Sequence, residues 1–405
     1  MSAAEAAVAR AFAAVPHRRP VAIAVSGGGD SMALLDLAIG AARGIPVQAV
    51  TLDHGLRPEA AAEAATVAAF CAGRGISHTT LRWTGWDGSG NLQAEARAAR
   101  YRLIGSWAAG QGIGQVWLGH TRDDVAETFL IRLGRASGLE GLARMAPAFQ
   151  REGMAWVRPL LDIARADLRA HLCARGLGWV DDPSNLDDGY ARVRVRKALD
   201  VLAGIGLTPE AIAHSAAALD GARGLVADHM AGEWAARVTL DRGDLLIRTD
   251  GAGAEVLRRL LVAGLRLIGG QDWAPRHAAL ADLTGRLARQ GRHTLSGCLI
   301  TRKGDMLRIA REWQAVRGLE VPSDAEWDGR WSLDGPHAPG LTIRALGQGI
   351  GLCPDWRGVG LPRASLMAGP AVWAGKVLIA APLAGLCPVW TARLRPSFAM
   401  VPFAH

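Results

Sequence analysis

Three short stretches of this chain carry residue types that move phosphate and protons. The first is Ser26-Gly27-Gly28-Gly29-Asp30-Ser31, directly after the apolar run Val21-Ala22-Ile23-Ala24-Val25. Successive glycines permit positive φ and a close approach of backbone to ligand. An apolar segment continues from Ser31 with no breaker before Gly40, so the free amides of a helix N-terminus converge on the same spot. Strand, amide nest and helix start together make a phosphate site. The second stretch, Asp53-His54, closes another apolar run, where it either meets a ligand or caps the next helix. The third is Gly119-His120-Thr121-Arg122-Asp123-Asp124-Val125-Ala126-Glu127-Thr128. A helix starting near Asp123 places Asp124 and Glu127 on one face, with His120 just before it. Acidic residues in a first turn ordinarily complement the helix dipole. Two carboxylates and an imidazole opposite a phosphate loop also suit magnesium binding and acid–base work.

The glycine loop departs from two common phosphate binders. A Walker A loop needs a Lys after its last glycine and a dinucleotide loop needs G-x-G-x-x-G; neither is present. Reading Ser26 as the nucleophile of a loose elbow leaves Asp30 and Ser31 without a purpose. The stretch resembles, over its full length, the S-G-G-x-D-S loop (PP-loop) of the N-type ATP pyrophosphatases. Those enzymes cleave ATP to AMP and pyrophosphate by adenylating a substrate oxygen. The resemblance implies that residues 26–31 bind ATP and that Asp30 helps to hold Mg2+.

The elements that must position these stretches alternate. Residues 21–25 read as a buried strand, 46–52 as a second, 78–82 as a third and 115–118 as a fourth. Apolar helical segments lie between them, at about 31–39, 59–73 and 92–109. This rhythm predicts an α/β fold with a doubly wound parallel sheet and ligands at the C-terminal ends of its strands, where the polar stretches fall.

Further blocks follow in order: Leu52-Asp53-His54-Gly55-Leu56-Arg57; Asn91-Leu92-Gln93-Ala94-Glu95-Ala96-Arg97 with Arg100-Tyr101; Gly119 to Thr128; Arg135-Ala136-Ser137-Gly138-Leu139-Glu140-Gly141-Leu142; Arg158-Pro159-Leu160-Leu161; and Asp181-Asp182-Pro183-Ser184-Asn185. Over roughly residues 20–200 this order resembles the tRNA(Ile)-lysidine synthetase family. One position departs: where the family tends to read Arg-Asn-Arg-Ile-Arg, this chain has Arg192-Val193-Arg194-Val195-Arg196. The resemblance implies a cytoplasmic enzyme that joins free L-lysine to the wobble cytidine of a CAU-anticodon tRNA(Ile), with ATP and Mg2+. It implies Asp30 and Asp124 as magnesium ligands, Glu127 and His120 as groups that orient or deprotonate lysine, and Asp53, His54 and Arg97 as substrate or phosphate contacts. A PP-loop tRNA thiolase and a non-catalytic tRNA-binding protein on the same fold are the competing readings. The Arg192, Arg194, Arg196 and Lys197 group has period two, which lines one face of a strand or spreads around a helix. It reads as a solvated basic face or as an RNA phosphate contact.

Composition narrows the rest. At 405 residues the chain exceeds one typical domain. Its Lys and Arg outnumber Asp and Glu by eight and its pI is 9.9, which suits a polyanionic partner, although an Arg-rich proteome gives the same bias. Five scattered cysteines without C-x-x-C exclude a zinc ribbon, an iron–sulfur signature and a disulfide framework. The first nineteen residues read as an Ala-rich helix rather than a signal peptide, and no stretch reaches 18 uncharged apolar residues, so a soluble protein without a membrane partner is expected. A homodimer is compatible with the chain.

Three domains are expected: the catalytic domain over residues 1–205, an α+β domain over 206–312 and a small β-rich module over 313–405. In the second, Thr208 and Pro209 predict a helix start, and residues 239–248 a hairpin about Asp241-Arg242-Gly243-Asp244. In the third, Trp313, Trp327, Trp331, Trp356 and Trp373 lie among Pro- and Gly-rich turns. They read as core residues, or as base-stacking platforms if exposed.

Overall fold

The computed structural model describes residues 1–55, 60–84, 86, 92–181, 189–271 and 274–395. The blocks at Leu56-Arg57, Asn91 and Asp182-Pro183-Ser184-Asn185 lie outside the described residues. Two compact units divide the chain, Met1–Arg223 and Gly224–His405.

In the first unit the elements run α1 (Ala3–Ala13), β1 (Val21–Ala24), α2 (Gly29–Ala41), β2 (Val47–Asp53), α3 (Ala60–Ala72), β3 (Ser77–Arg82), α4 (Leu92–Gly110), β4 (Gln115–Leu118) and α5 (Arg122–Leu133). They continue through α6 (Leu139–Leu142), β5 (Ala148–Arg151), β6 (Met154–Val157), α7 (Arg165–Ala174) and α8 (Ala191–Ala203). The sheet order is β3-β2-β1-β4-β6-β5, parallel except for β5, which returns antiparallel beside β6. The chain builds outward from β1 through β2 and β3, then crosses to β4 on the other flank. The switch point of this α/β sheet therefore lies between β1 and β4, where such sheets bind ligands.

Why these residues form these layers is visible in their burial. Val21, Ala22 and Ile23 of β1 and Val116 and Trp117 of β4 are fully covered, as central parallel strands require. One face of the sheet packs on α2 through Leu34, Leu35 and Ala38, with Phe12 of α1 lying 4.6 Å from the Trp117 ring. The other face holds Tyr101, Ile104 and Trp156. Each fully buried Leu or Ile contributes about 2 kcal/mol by leaving water.

Two local readings are corrected and one open choice is decided. The glycine loop enters its helix at Gly29, two residues before Ser31, and Asp53 ends strand β2 instead of opening the loop after it. Of the two readings open for residues 192–197 the helical one holds: they lie in α8, with Val193 buried on its inner face.

The second unit holds the rest of the helix α9 (Pro209–Arg237), whose start is capped by the Thr208 hydroxyl, accepting from the Ala211 amide at 3.2 Å. There follow β7 (Val238–Asp241), β8 (Asp244–Arg248), α10 (Ala254–Gly269), α11 (His277–Gln290), β9 (Arg292–Leu295), β10 (Cys298–Lys303) and β11 (Met306–Arg311). These strands pair antiparallel in the order β7-β8-β11-β10-β9. The predicted hairpin turn has positive φ at both Arg242 and Gly243, as a two-residue turn matched to strand twist demands. Beyond it, β12 (Glu320–Pro322), β14 (Leu341–Ala345), β15 (Pro370–Ala374) and β16 (Val377–Ala380) form a four-stranded sheet, and β13 (Trp331–Asp334) pairs with β17 (Thr391–Leu394). Trp327 and Trp331 are buried and Trp313, Trp356 and Trp373 half-buried, so the core reading of these rings holds. Among the described residues no helix is long and apolar enough to cross a membrane.

Candidate active site

The loop after β1 is shaped by its own side chains. Gly27 adopts φ +83°, a conformation that L side chains rarely take, and turns the chain so that Gly28 precedes α2. The Ser31 hydroxyl donates to the Gly28 carbonyl at 2.9 Å and accepts from the Ser26 amide at 3.2 Å, bracing the loop across its base. The first amides of α2 have no carbonyl a turn earlier to bond, so they and the helix dipole are available to an anion. From outside, the Val180 amide donates to the Gly27 carbonyl at 2.9 Å, and the Trp179 ring lies 3.4 Å from where a Gly29 Cβ would stand, in ordinary van der Waals contact.

The end of β4 is drawn against this loop. A Cβ at Gly119 would lie 3.0 Å from the Asp30 carbonyl oxygen, so only glycine allows the two segments to touch. His120 follows immediately, and Thr121 caps α5 in a reciprocal box with Asp124. A cleft of about 760 Å³ opens between the two, lined by Ser26, Gly28, Gly29, Asp30 and Ser31 on one side and by His120 and Asp124 on the other.

A residue that the sequence did not single out joins these groups. Arg165, at the start of α7, donates from Nε to Asp30 Oδ2 at 3.0 Å, from Nη1 to Glu127 Oε1 at 3.1 Å and from Nη2 to Asp124 Oδ1 at 3.4 Å. Its own amide donates to Asp123 at 2.8 Å, which fixes the helix start. One guanidinium thus bridges three carboxylates from two elements. Burial raises the Asp30 carboxyl above its usual range, and Arg165 offsets only part of that. Burial also pushes Asp124 upward, but Arg165, His120 and the Thr121 amide more than offset it and hold this carboxyl below its ordinary value.

Glu127 lies fully buried behind the cleft wall. Its Oε1 accepts from Arg165 and from Arg196 Nε at 2.6 Å. Its Oε2 accepts no hydrogen bond among the described residues and has Arg192 Nε 4.0 Å away. His120 Nδ1 accepts from Arg158 Nε at 3.3 Å, which leaves the ring proton on Nε2. Burial lowers the imidazole to about 4, against a smaller upward pull from Asp124, so His120 is neutral at neutral pH.

The remaining predicted residues sit at the margin. Asp53 accepts from the Gly55 amide at 2.8 Å and faces Arg82 at 3.6 Å, so it shapes the turn after β2. His54 Nε2 lies 3.3 Å from Arg100, a cleft-lining residue, and burial lowers its imidazole to about 4. Arg97 is exposed on α4 and donates to the Tyr101 hydroxyl at 3.1 Å. Neither Asp53, His54, Arg97 nor Glu127 lines the cleft wall itself.

Several arginines near the site lie close enough to repel one another. Burial lowers the guanidinium pKa values of Arg132 and Arg158, and like charges push the same way: Arg223 and Arg97 at Arg132, Arg97 and Arg132 at Arg158. Such mutual repulsion is relieved by a polyanion. Magnesium fits the donor set at the centre. Among the described residues no three metal-ligating side chains converge, but Mg2+ characteristically takes one or two carboxylates and completes its shell with phosphate oxygens and water. Asp30 and Asp124, on opposite walls of the cleft, supply hard oxygens of that kind.

Residues 2–201 match the model of the PP-loop domain family. A tRNA(Ile)-lysidine synthase of Ruegeria pomeroyi is 47% identical over 95% of this chain and 93% of its own length. Those of Rhodopseudomonas palustris and Rhizobium meliloti are 39% and 35% identical, covering 74% and 82% of this chain and 92% and 76% of their own.

Proposed function

The chain belongs to the tRNA(Ile)-lysidine synthase family, and from that membership we propose that it uses ATP to join lysine to C2 of the wobble cytidine in CAU-anticodon tRNA(Ile). It is an ATP-using enzyme of tRNA modification. The cytidine O2 attacks the α-phosphate of ATP and pyrophosphate leaves; the lysine ε-amine then attacks C2 and AMP departs with that oxygen. Adenylation turns a poor leaving group into a good one.

The observation that carries this reading is the meeting of the amide loop and the Arg165-bridged carboxylates across one cleft. The amides of residues 28–30 and the α2 dipole hold the phosphates and oppose charge as pyrophosphate leaves. Asp30 and Asp124 would hold Mg2+, which when bound neutralises phosphate charge. Arg165, held between Asp30 and Asp124, adds a guanidinium on the side of the cleft where the phosphates would lie. Glu127, buried behind the cleft wall, acts through the arginines it holds: its Oε1 anchors Arg165 and the cleft-lining Arg196, and it orients the lysine indirectly through them. His120, neutral and protonated at Nε2, serves as a hydrogen-bond donor to the substrate oxygen. The arginines Arg97, Arg100 and Arg132 receive tRNA phosphates.

Sulfur transfer fits poorly. Cys71 is fully buried and its thiol is pushed up to about 11 by burial, so it is no nucleophile at neutral pH. The test is AMP release from ATP: it should require both tRNA(Ile) and lysine for full turnover, and release that ignores tRNA would overturn the reading.

A further inference from the structure

Asp36 is a buried carboxylate that the reaction does not use. It lies on α2, six residues after Asp30, with its side chain 2% exposed. His171 Nε2 donates to its Oδ2 at 2.8 Å, and Arg175 Nε approaches the same oxygen at 2.8 Å; both belong to α7 or its C-cap. Arg74, just past the end of α3, donates to Oδ1 at 2.8 Å. A carboxylate so deep in the core is costly unless paired, and here three cationic or hydrogen-bonding groups from two other elements surround it.

The spacing gives the arrangement its meaning. Asp30 meets Arg165 and Asp36 meets His171, so the partners are six residues apart on both helices. Six residues rise about 9 Å along each axis and end about 120° around it from the first, so the two contacts brace α7 against α2 at two heights and on different sides, an outer and an inner rung. The outer rung is the catalytic one. The inner rung fixes how far α7 slides along α2, and with it where the Arg165 guanidinium stands relative to the Asp30 carboxylate and the phosphate loop. Packing around it is apolar: Leu168 and Leu172 of α7 join Leu34, Leu35 and Ala38 of α2 in one core. Apolar contacts alone tolerate small slips, whereas a directional hydrogen bond does not.

We propose that Asp36 is a positioning residue that sets the register of α7 on α2 and so places Arg165 for adenylation. The inference rests on the function proposed above. If it is correct, Asp36 acts only through Arg165, and a double-mutant cycle reads that dependence. In the full-length protein, Asp36→Asn should lower kcat for AMP formation by on the order of 10- to 100-fold. In an Arg165→Lys background, where the fork is already lost, the same change should alter kcat by no more than about twofold. The KM for ATP should change little in both, because the loop amides are untouched.

A purely structural role would lower the melting temperature while leaving kcat of the folded enzyme intact. That result overturns the proposal, as does an equal loss of kcat in both backgrounds. Should Asp36→Asn fail to fold, His171→Leu removes the donor from the other helix and enters the same cycle with the same expectations. An unmodified protein that forms no AMP at all counts against the functional reading itself and takes this proposal with it.

Discussion

Arg165 Nε lies 3.0 Å from Asp30 Oδ2, although 135 residues separate them in the chain. That contact joins the glycine loop to α7 and puts a fixed positive charge beside the cleft, where the proposed reaction would develop negative charge. Arg165→Ala should therefore lower kcat for AMP formation by on the order of 10²- to 10³-fold, the usual loss when a group that stabilises transition-state charge is removed. Initial rates of AMP release at saturating ATP check it.

Asp30→Ala should abolish AMP formation and leave tRNA affinity within about twofold, since the carboxylate faces the loop and α7 and not the arginines proposed to receive tRNA. Filter binding at fixed salt, alongside the AMP assay, separates the two effects. Normal turnover by this variant would remove Asp30 from the metal assignment.

How much of this was legible in the sequence depends on how local each feature is. The loop at residues 26–31 could be read because its strand, glycines and helix start are contiguous, and the His120, Asp124 and Glu127 group because one helix N-terminus holds all three. Arg165 was missed because its partners come from distant stretches and its own neighbours, Ile163-Ala164-Arg165-Ala166, carry no pattern; the only nearby signal was the Arg158-Pro159-Leu160-Leu161 block. The arginines of α8 were ambiguous because their period of two fits a strand as well as a helix. In the helix, Arg192 and Arg196 share a face and reach Glu127, while Arg194 turns back to the Gly189 carbonyl.

The two depressed imidazoles give a pH prediction. His54 and His120 each titrate near 4 in the folded chain against an ordinary value of 6.5. Between those values the unfolded chain binds more protons than the folded one, so stability rises with pH through that window. The contribution is complete above about pH 6.5 and is lost as pH falls towards 4. Thermal melts from pH 7 to pH 4.5 should show Tm falling, and His120→Gln should flatten that fall. Imidazole NMR signals of both residues that titrate near 6.5 would contradict the assignment.

The mutually repelling arginines predict a salt signature. Replacing Arg97 or Arg132 by Ala should weaken tRNA binding and reduce the slope of log affinity against log salt by up to about 1 for each phosphate that is no longer neutralised. Titrations at several salt concentrations measure it, and an unchanged slope would place the RNA elsewhere on the molecule.

The most direct test of the account is the mass of the product. Incubated with ATP, Mg2+ and lysine, the protein should modify a CAU-anticodon tRNA(Ile) and leave the methionine tRNA with the same anticodon unmodified. Mass spectrometry of the digested tRNA(Ile) should show one cytidine heavier by a lysine less one water, with one AMP released per residue added. A cytidine carrying sulfur in place of oxygen, or an unmodified base despite AMP release, would contradict it.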